Sequence, residues 1–306
     1  MKILALIITL VSFIAAEGQQ LPIYTNYNFN LFGINPAAAG SQSCLDLRMG
    51  YRRQWLGFPG EPKSTFIGVN GSFGKKRFNF HGVGIKVETD EAGPMGFSSL
   101  SGSYSYHIKV NKKNMLSLGS SLGFSQHRLD VGQVTAEDFS DPAITASQSQ
   151  VLFPQIGLGI WYQSQDRYIG FSARNIIENK FTNFGTDSRF RRHSYLILGK
   201  SIPVNDNLFF KPSVNIRHVS RSPLAADVNL LFDLNDLFEF GISLRGGHGV
   251  SGMVKVAVLK YLTIGYAYDR TINKLRVGGA NSHEIMLGIQ ACPRGEKKGI
   301  KCSAYD

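Results

Sequence analysis

The stretch NMLSLGSSLGFSQ, residues 114–126, carries an apolar side chain at nearly every second position. Leu116, Leu118, Leu122 and Phe124 share one face of an extended chain, whereas the other face carries serine and glycine. A period of two residues predicts a β-strand. A soluble barrel would point large aliphatic side chains inward, but the second face here is small and polar, as in a water-filled lumen. The stretch therefore predicts one strand of a transmembrane β-barrel.

Similar alternation recurs along the chain and predicts an all-β protein, a single-chain transmembrane antiparallel β-barrel. The count is about 14 strands, and an even number is expected of bacterial outer-membrane barrels. The predicted strands are Cys44–Gln54, Lys63–Phe73, Phe80–Glu88, Met95–Ile108, Met115–His127, Leu152–Gln163, Arg167–Asn175, Arg192–Ile202, Leu208–His218, Leu224–Asp233, Leu237–Gly246, Val250–Leu259, Tyr261–Asp269 and His283–Ala291.

The links between these strands differ in length on the two ends of the predicted barrel. Links after even-numbered strands are short, such as KVNKKN and LND, whereas several links after odd-numbered strands are long, such as RTINKLRVGGANS. Outer-membrane barrels have short periplasmic turns and longer external loops. The pattern therefore predicts that the long loops lie outside and that both termini, N and C, are periplasmic.

The first residues, MKILALIITLVSFIAAEGQQ, have a basic start, a short apolar run and small residues at the end. This pattern predicts a signal peptide over residues 1–18 and export of the mature chain. An N-terminal membrane anchor is the alternative. Residues 19–43 then form a periplasmic N-terminal segment, residues 44–292 the outer-membrane barrel, and residues 293–306 a basic periplasmic tail.

Three roles remain open for the segment Leu21–Ser43, which is rich in asparagine, tyrosine and phenylalanine. It could fold into the lumen as a plug, contact a partner, or be a disordered leader. The prolines and the run NPAAAG favour a defined turn over a helix. We favour docking in the lumen or at its rim.

The formal net charge is +11, from 33 basic and 22 acidic residues. For an exported chain this balance favours anionic lipid or saccharide over nucleic acid, and scattered solvated turn charges explain most of it. No nucleotide-binding, metalloprotease or serine-hydrolase motif is found. We therefore expect no catalytic residues, no cofactor, no metal and no enzymatic activity.

The three cysteines allow two disulfide pairings. Cys44 opens the first predicted strand and Cys292 closes the last, and a closed barrel places these strands side by side. We expect a disulfide between Cys44 and Cys292, with Cys292–Cys302 as the alternative; the oxidising periplasm permits either.

Basic and aromatic residues meet in GYRRQWLGFPGEPKST, residues 50–65. By parity, Tyr51 and Trp55 lie on the outer face near the external rim, where amphipathic rings are favoured. Arg52 points into the lumen. The turn that follows is the first external hairpin.

Two long stretches resemble the PorP/SprF family of outer-membrane proteins. YTNYNFNLFGINPAAAGSQSCLDLRMGYRRQWLGFPGEPKSTFIGVN contains an INPAYAG-like element at Ile34–Gly40 and a YRxQWxGFxGxPxT-like element at Tyr51–Thr65. LTIGYAYDRTINKLRVGGANSHEIMLGI is similar to the family's closing strands. The chain departs from the family pattern at Ala38, where tyrosine is usual, and in its cysteine-containing tail.

The resemblance implies the outer membrane of a Bacteroidetes-type Gram-negative bacterium and a role in type IX secretion and gliding motility. It implies a scaffold or anchor for secretion or surface display of large adhesins. The implied partners are outer-membrane lipid, other type IX secretion components, periplasmic peptidoglycan-associated proteins and the adhesins. The candidate partner-binding residues are Asn35, Pro36, Arg52, Trp55, Gly57 and Phe58.

Two other functions compete with this interpretation. A general porin or substrate channel is the first, because about 14 strands leave a lumen wide enough for solutes unless it is plugged. A barrel enzyme is the second, although no motif supports it. Fold alone does not choose among them.

Overall fold

Fourteen antiparallel strands form a closed ring in the part of the chain that the computed structural model describes. That part is residues 21–42, 45–74, 79–130, 132, 148–181, 188–246, 249–259, 261–272 and 280–291. The strands are β1 Asp46–Arg53, β2 Lys63–Phe73, β3 Phe80–Ala92, β4 Met95–Lys109, β5 Met115–Asp130, β6 Gln148–Gln163, β7 Arg167–Arg174, β8 His193–Lys200, β9 Leu208–Val219, β10 Ala225–Leu234, β11 Phe238–Arg245, β12 Gly249–Ala257, β13 Leu262–Thr271 and β14 Asn281–Gln290.

Each strand pairs with its neighbours in sequence, and β1 closes the ring by pairing with β14. At this seam Asp46 lies opposite Gln290 and Arg53 opposite His283. Every strand of the ring thus has a partner on both sides, as a barrel in lipid requires. The predicted antiparallel barrel of 14 strands is confirmed.

A few short elements accompany the ring. Ile202–Pro203 pairs with the start of β9, and Lys180–Phe181 pairs with Ser188–Arg189 in the link between β7 and β8. Three single turns lie ahead of β1. Within the described residues, no helix has the length and apolar character needed to cross a membrane. The turns are a 3₁₀ turn at Tyr27–Asn30, an α-helical turn at Leu31–Ile34 and a second 3₁₀ turn at Pro36–Ala38.

The two faces of the wall differ as the alternation predicted. On β5, Leu118, Leu122 and Phe124 are 45%, 64% and 59% exposed, whereas Ser117 and Ser125 are buried in the lumen. Apolar side chains thus face outward, toward the lipid, and polar side chains face the lumen.

Several strands run further at the long-loop end than the alternation indicated. β3 was expected to end at Glu88 but continues to Ala92, where a tight turn with Gly93 at φ 56° leads into β4. The sequence Glu88–Glu91 is polar on both faces, so the hydrophobic period fades there while the backbone pairing continues.

Side-chain caps shape the turns at the opposite, short-turn end. The Asn111 carboxamide oxygen accepts hydrogen bonds from the backbone N–H groups of Lys113 and Asn114 at 2.8 and 2.9 Å. Asn205 does the same for Asn207 and Leu208. An asparagine that bonds its own turn in this way favours a short reversal.

An arginine placed on the outer face at mid-strand is expected to destabilise the barrel strongly. The variant Leu118→Arg should lose about 2–4 kcal/mol of unfolding free energy in phospholipid vesicles, because its charge would lie in the hydrocarbon layer. Leu237→Arg, in the turn between β10 and β11, is the matched control and should lose about 0–1 kcal/mol. Denaturant titration measures both, and equal losses would contradict the outward face assigned to β5.

Candidate functional site

The lumen is filled by the residues that precede β1. We call residues 21–41 the lumen strap. Leu31, Ala37, Ala38 and Ala39 have no measurable exposure, although none of them belongs to the barrel wall. The strap consists of single turns rather than a regular element, so side chains of the wall must satisfy its backbone groups.

At the long-loop end, the strap begins in an apolar cluster. Leu21 is buried against Phe97 and Phe190. Phe97 lies two residues into β4, and Phe190 belongs to the link between β7 and β8. The His127 ring packs edge-on against Phe190, with 4.5 Å between the centroids. This cluster holds the start of the strap at the long-loop end of the barrel.

Below this cluster, Thr25 is held by four charged side chains of the wall. Its hydroxyl group donates to Asp269 at 2.8 Å, and its backbone N–H donates to Glu284 at 2.7 Å. Arg52 and Arg245 both donate to the same hydroxyl oxygen. Arg52 also pairs with Asp269 and Glu284, and Arg245 pairs with Asp269. Charges from β1, β11, β13 and β14 therefore meet on one threonine, which we call the Thr25 clamp.

A second charged group binds the α-helical turn of the strap. Lys86 donates to the Gly33 carbonyl oxygen at 2.6 Å and pairs with Glu88 at 3.1 Å. Arg174 pairs with the same carboxylate at 2.5 Å from across the lumen. Because all three charges are buried, their mutual pairing is what makes their burial tolerable.

Asn35 joins the strap to the wall between β6 and β7. Its amide nitrogen donates to the carbonyl oxygens of Ile160 at 3.0 Å and Phe171 at 3.2 Å, which lie opposite each other in the sheet. Its side-chain oxygen accepts from the backbone N–H of Ala37 at 2.9 Å. Pro36 is buried beside it.

At the short-turn end, the strap ends on polar groups of β2, β4 and β5. The Ala39 carbonyl oxygen accepts from Ser105 at 2.6 Å and from Nε2 of His107 at 2.8 Å. Nδ1 of His107 lies 2.6 Å from the Ser117 hydroxyl group. The Asn70 side chain accepts from the N–H of Gly40, which has φ 65°.

Glycines on the lumen face leave room for the strap. A Cβ atom on Gly119 would lie 2.3 Å from the Ala37 nitrogen, and one on Gly82 would lie 2.1 Å from the Ala39 oxygen. Both obstacles are backbone atoms, so no rotamer change relieves them. The small residues that indicated a wet lumen in the sequence therefore serve to admit the strap.

The wall of β9–β11 is bound less completely by the strap. The Tyr27 hydroxyl group lies 2.9 Å from the Ser213 hydroxyl oxygen, and the Asn28 side-chain amide donates to the same oxygen at 2.8 Å. The side-chain amide of Asn229 and the hydroxyl group of Ser243 are buried and have no hydrogen-bond partner within the described residues. Buried polar atoms of this kind are normally satisfied by water. We therefore expect water molecules beside these two side chains.

The external hairpin after β1 is organised by Glu61. Its carboxylate accepts from the Gly57 backbone N–H at 2.9 Å and from Arg53. These two contacts lower the pKa of the Glu61 carboxyl group. Trp55 and Phe58 are half-buried in this hairpin, and Gly57 is exposed.

The candidate residues thus separate into two groups. Asn35, Pro36 and Arg52 lie together in the lumen, whereas Trp55, Gly57 and Phe58 lie in the external hairpin. Partner binding by either group stays a prediction. Cys44, Cys292 and Cys302 fall outside the described residues, so the disulfide also stays a prediction.

The segment before β1 was predicted to dock in the lumen or at its rim, and the described strap residues run through the lumen. Leu21 lies at the long-loop end and Gly40 at the short-turn end. The segment has no hydrophobic period, so the sequence did not reveal this path.

Sequence reasoning also missed Thr25, Asp269, Glu284, Glu88 and Arg174. The four charged members have lumen-facing parity in strands, and this parity was the available indication.

Removing the Thr25 hydroxyl group is expected to loosen the strap. Thr25→Val keeps the shape but deprives Asp269, Arg52 and Arg245 of one partner, which should cost about 1–3 kcal/mol. Thr25→Ser keeps the hydroxyl group and is the control. Hydrogen–deuterium exchange across residues 21–41 should accelerate in the valine variant only, and equal protection in both variants would contradict the clamp.

Solved outer-membrane barrels share this fold. The CymD monoaromatic hydrocarbon channel is 12% identical with a TM-score of 0.51, over 90% of this chain and 94% of that one. A Pseudomonas aeruginosa FadL homologue is 12% identical with a TM-score of 0.47, over 90% and 95%. The translocator domain of the autotransporter NalP from Neisseria meningitidis is 9% identical with a TM-score of 0.46, over 86% and 93%. At this identity the likeness to CymD shows a shared fold alone.

The sequence itself matches a family of known description. No curated protein sequence matches the chain. The family model for the type IX secretion system membrane protein PorP/SprF matches residues 16–289, which include the strap, β1 to β13 and all but the last residue of β14. Other components of that secretion system are therefore its partners. The chain belongs to the PorP/SprF family of type IX secretion system membrane proteins and is an outer-membrane β-barrel of a Gram-negative bacterium.

Proposed function

We propose that this barrel is a non-enzymatic scaffold or anchor of the type IX secretion and gliding machinery. In this role it supports the secretion or surface display of large adhesins. Periplasmic peptidoglycan-associated proteins are its proposed neighbours on the other side of the membrane. The observation that carries the proposal is the lumen strap, because a filled lumen leaves the rims and loops, rather than a pore, for function.

The contacts of the strap suit a rigid platform. Thr25 binds β1, β11, β13 and β14, Gly33 binds β3, and Ala39 binds β4. Opposite sides of the ring are thereby tied through its centre. A barrel supported in this way presents the ends of its strands at fixed positions, which favours binding of a partner.

A channel for small polar solutes is the second candidate function. The observation that favours it is the polar wall of β9–β11, where Asn229 and Ser243 have buried polar atoms without a partner among the described residues. Lumen-facing polar groups of this kind line water-filled barrels. The two functions differ in whether ions pass the strap.

Conductance of the purified protein in planar bilayers distinguishes them. We expect no steady conductance from the wild-type chain, because the strap occupies the lumen along its length. Deletion of residues 21–41 should open a steady current. Both proteins must first show heat-modifiable mobility in electrophoresis, which verifies the closed barrel. Steady current through the wild-type protein would favour the channel over the scaffold.

The external hairpin is the proposed contact for a secretion partner. The double variant Trp55→Ala/Phe58→Ala should reduce recovery of secretion-system proteins in a pull-down from detergent-solubilised membranes. Leu224→Ala, an exposed apolar residue at the same end of the barrel, is the control. Undiminished recovery with the double variant, at equal membrane levels, would remove this hairpin from the proposal.

A further inference from the structure

The outward-facing side chains change from apolar to basic at the long-loop end of four neighbouring strands, β13, β14, β1 and β2. On β14 the exposed Ile285 is followed, at the next outward position toward the loop, by His283. On β2 the exposed Ile67 gives way to Thr65 and then to the exposed Lys63 toward the same end. Charged side chains are costly in hydrocarbon and tolerated near the headgroups. The change therefore marks the level of the lipid headgroups.

At this level the register places basic side chains side by side. Lys63 of β2 lies opposite Arg53 of β1, and Arg53 lies opposite His283 of β14. His283 in turn lies opposite Tyr268 of β13, and Arg270 is the next outward residue of that strand. Directly opposed side chains of an antiparallel sheet have Cβ atoms about 5 Å apart. We call these five residues the basic row.

The carboxylates near the basic row neutralise only part of its charge. Glu61 pairs with Arg53. Glu91 lies opposite Lys63, but its carboxylate forms an ion pair with an arginine near the end of β5, at 3.9 Å. Within the described residues, the exposed side chains of Lys63 and Arg270 have neither an ion pair nor a hydrogen bond. The row therefore carries an excess of positive charge.

Tyrosine rings hold the histidine of the basic row in place. The Tyr266 hydroxyl group lies 2.7 Å from Nδ1 of His283. The Tyr268 ring packs edge-on against the same imidazole, with 5.2 Å between the centroids. Tyr51 is exposed on β1, two residues before Arg53. Rings with a polar tip are favoured at the membrane interface, which agrees with the level assigned to the row.

The next sector of the wall lacks this chemistry. Arg270 lies opposite Val250 of β12, and Val250 lies opposite Leu244 of β11. Both of these neighbours are exposed and apolar. A girdle that served only to anchor the barrel in lipid would not need cations on one sector alone. The basic row is therefore a local feature of β13, β14, β1 and β2.

We propose that the basic row binds the phosphate groups of a phosphorylated glycolipid, lipopolysaccharide, of the outer leaflet. Its face contacts lipid, and the long-loop end of outer-membrane barrels lies outside. The unpaired cations Lys63 and Arg270 complement phosphate, with which lysine and arginine form charge-assisted hydrogen bonds. The acyl chains lie below them on the exposed Ile67, Ile285 and Ile264.

Native mass spectrometry of the detergent-purified barrel, titrated with bis-phosphorylated lipid A, tests this site. The variant Lys63→Gln/Arg270→Gln removes the two unpaired cations and should weaken lipid A binding about 10- to 30-fold. Lys112→Gln/Lys113→Gln removes the same charge from an exposed short turn at the other end and is the matched control. The control should bind as tightly as the wild-type protein, and so should Lys63→Arg/Arg270→Lys.

Two further lipids separate the phosphate and the glycolipid from general anionic binding. Dephosphorylated lipid A should bind the wild-type protein as weakly as lipid A binds the glutamine variant, and phosphatidylglycerol should not displace lipid A. Equal affinity of the glutamine variant and the wild-type protein for lipid A would overturn the proposal. Displacement of lipid A by phosphatidylglycerol would do the same.

Heat-modifiable mobility verifies that each of these variants is folded. If the double glutamine variant does not fold, Arg270→Gln alone replaces it. This single variant should lose about fivefold in affinity for lipid A, because one cation near a charged lipid headgroup remains. Unchanged affinity of a folded Arg270→Gln protein would contradict the proposal.

Discussion

Backbone pairing between β1 and β14 is the constraint on which the rest of this structure depends. A sheet in lipid has no water to satisfy its edge, so every strand must find a partner within the chain. The register that joins Asp46 to Gln290 supplies the last of these partners. It also brings Arg52 of β1 beside Glu284 of β14. The same closure that makes the wall stable in lipid therefore assembles half of the Thr25 clamp.

Closure also creates an interior whose charged and polar side chains need partners. The wall points arginine, lysine, aspartate and glutamate side chains into the lumen, where they are buried and an unpaired charge is costly. The strap and the wall resolve this together. Lys86, Glu88 and Arg174 neutralise one another and fix Gly33, while Asp269 and Arg245 converge on Thr25. The lumen therefore combines ion pairs and hydrogen bonds with buried apolar clusters, such as the one around Tyr27, Leu31 and Trp161, and the exposed apolar surface of the barrel faces outward.

The sequence predicted the wall well and the lumen poorly, for a physical reason. Alternation is local, so it reported which face of β5 meets lipid and placed Arg52 inside the barrel. It carries no information on which distant strands share a height around the ring. Thr25 and Asp269, for example, are 244 residues apart in the chain. The strap has no period at all, since it consists of single turns that are also held by contacts with the wall.

The threaded strap also determines how the molecule would bear a mechanical load. A pull on the strap at Leu21, directed out of the long-loop end, would reach β1 only at its start, Asp46, at the short-turn end. Before that point it would meet the Thr25 clamp, the Lys86 contact to Gly33 and the Asn35 contacts to β6 and β7. These contacts join the strap to different strands, so the load would pass to several parts of the wall before it reached β1. The wall of the barrel thus resists withdrawal of its own strap.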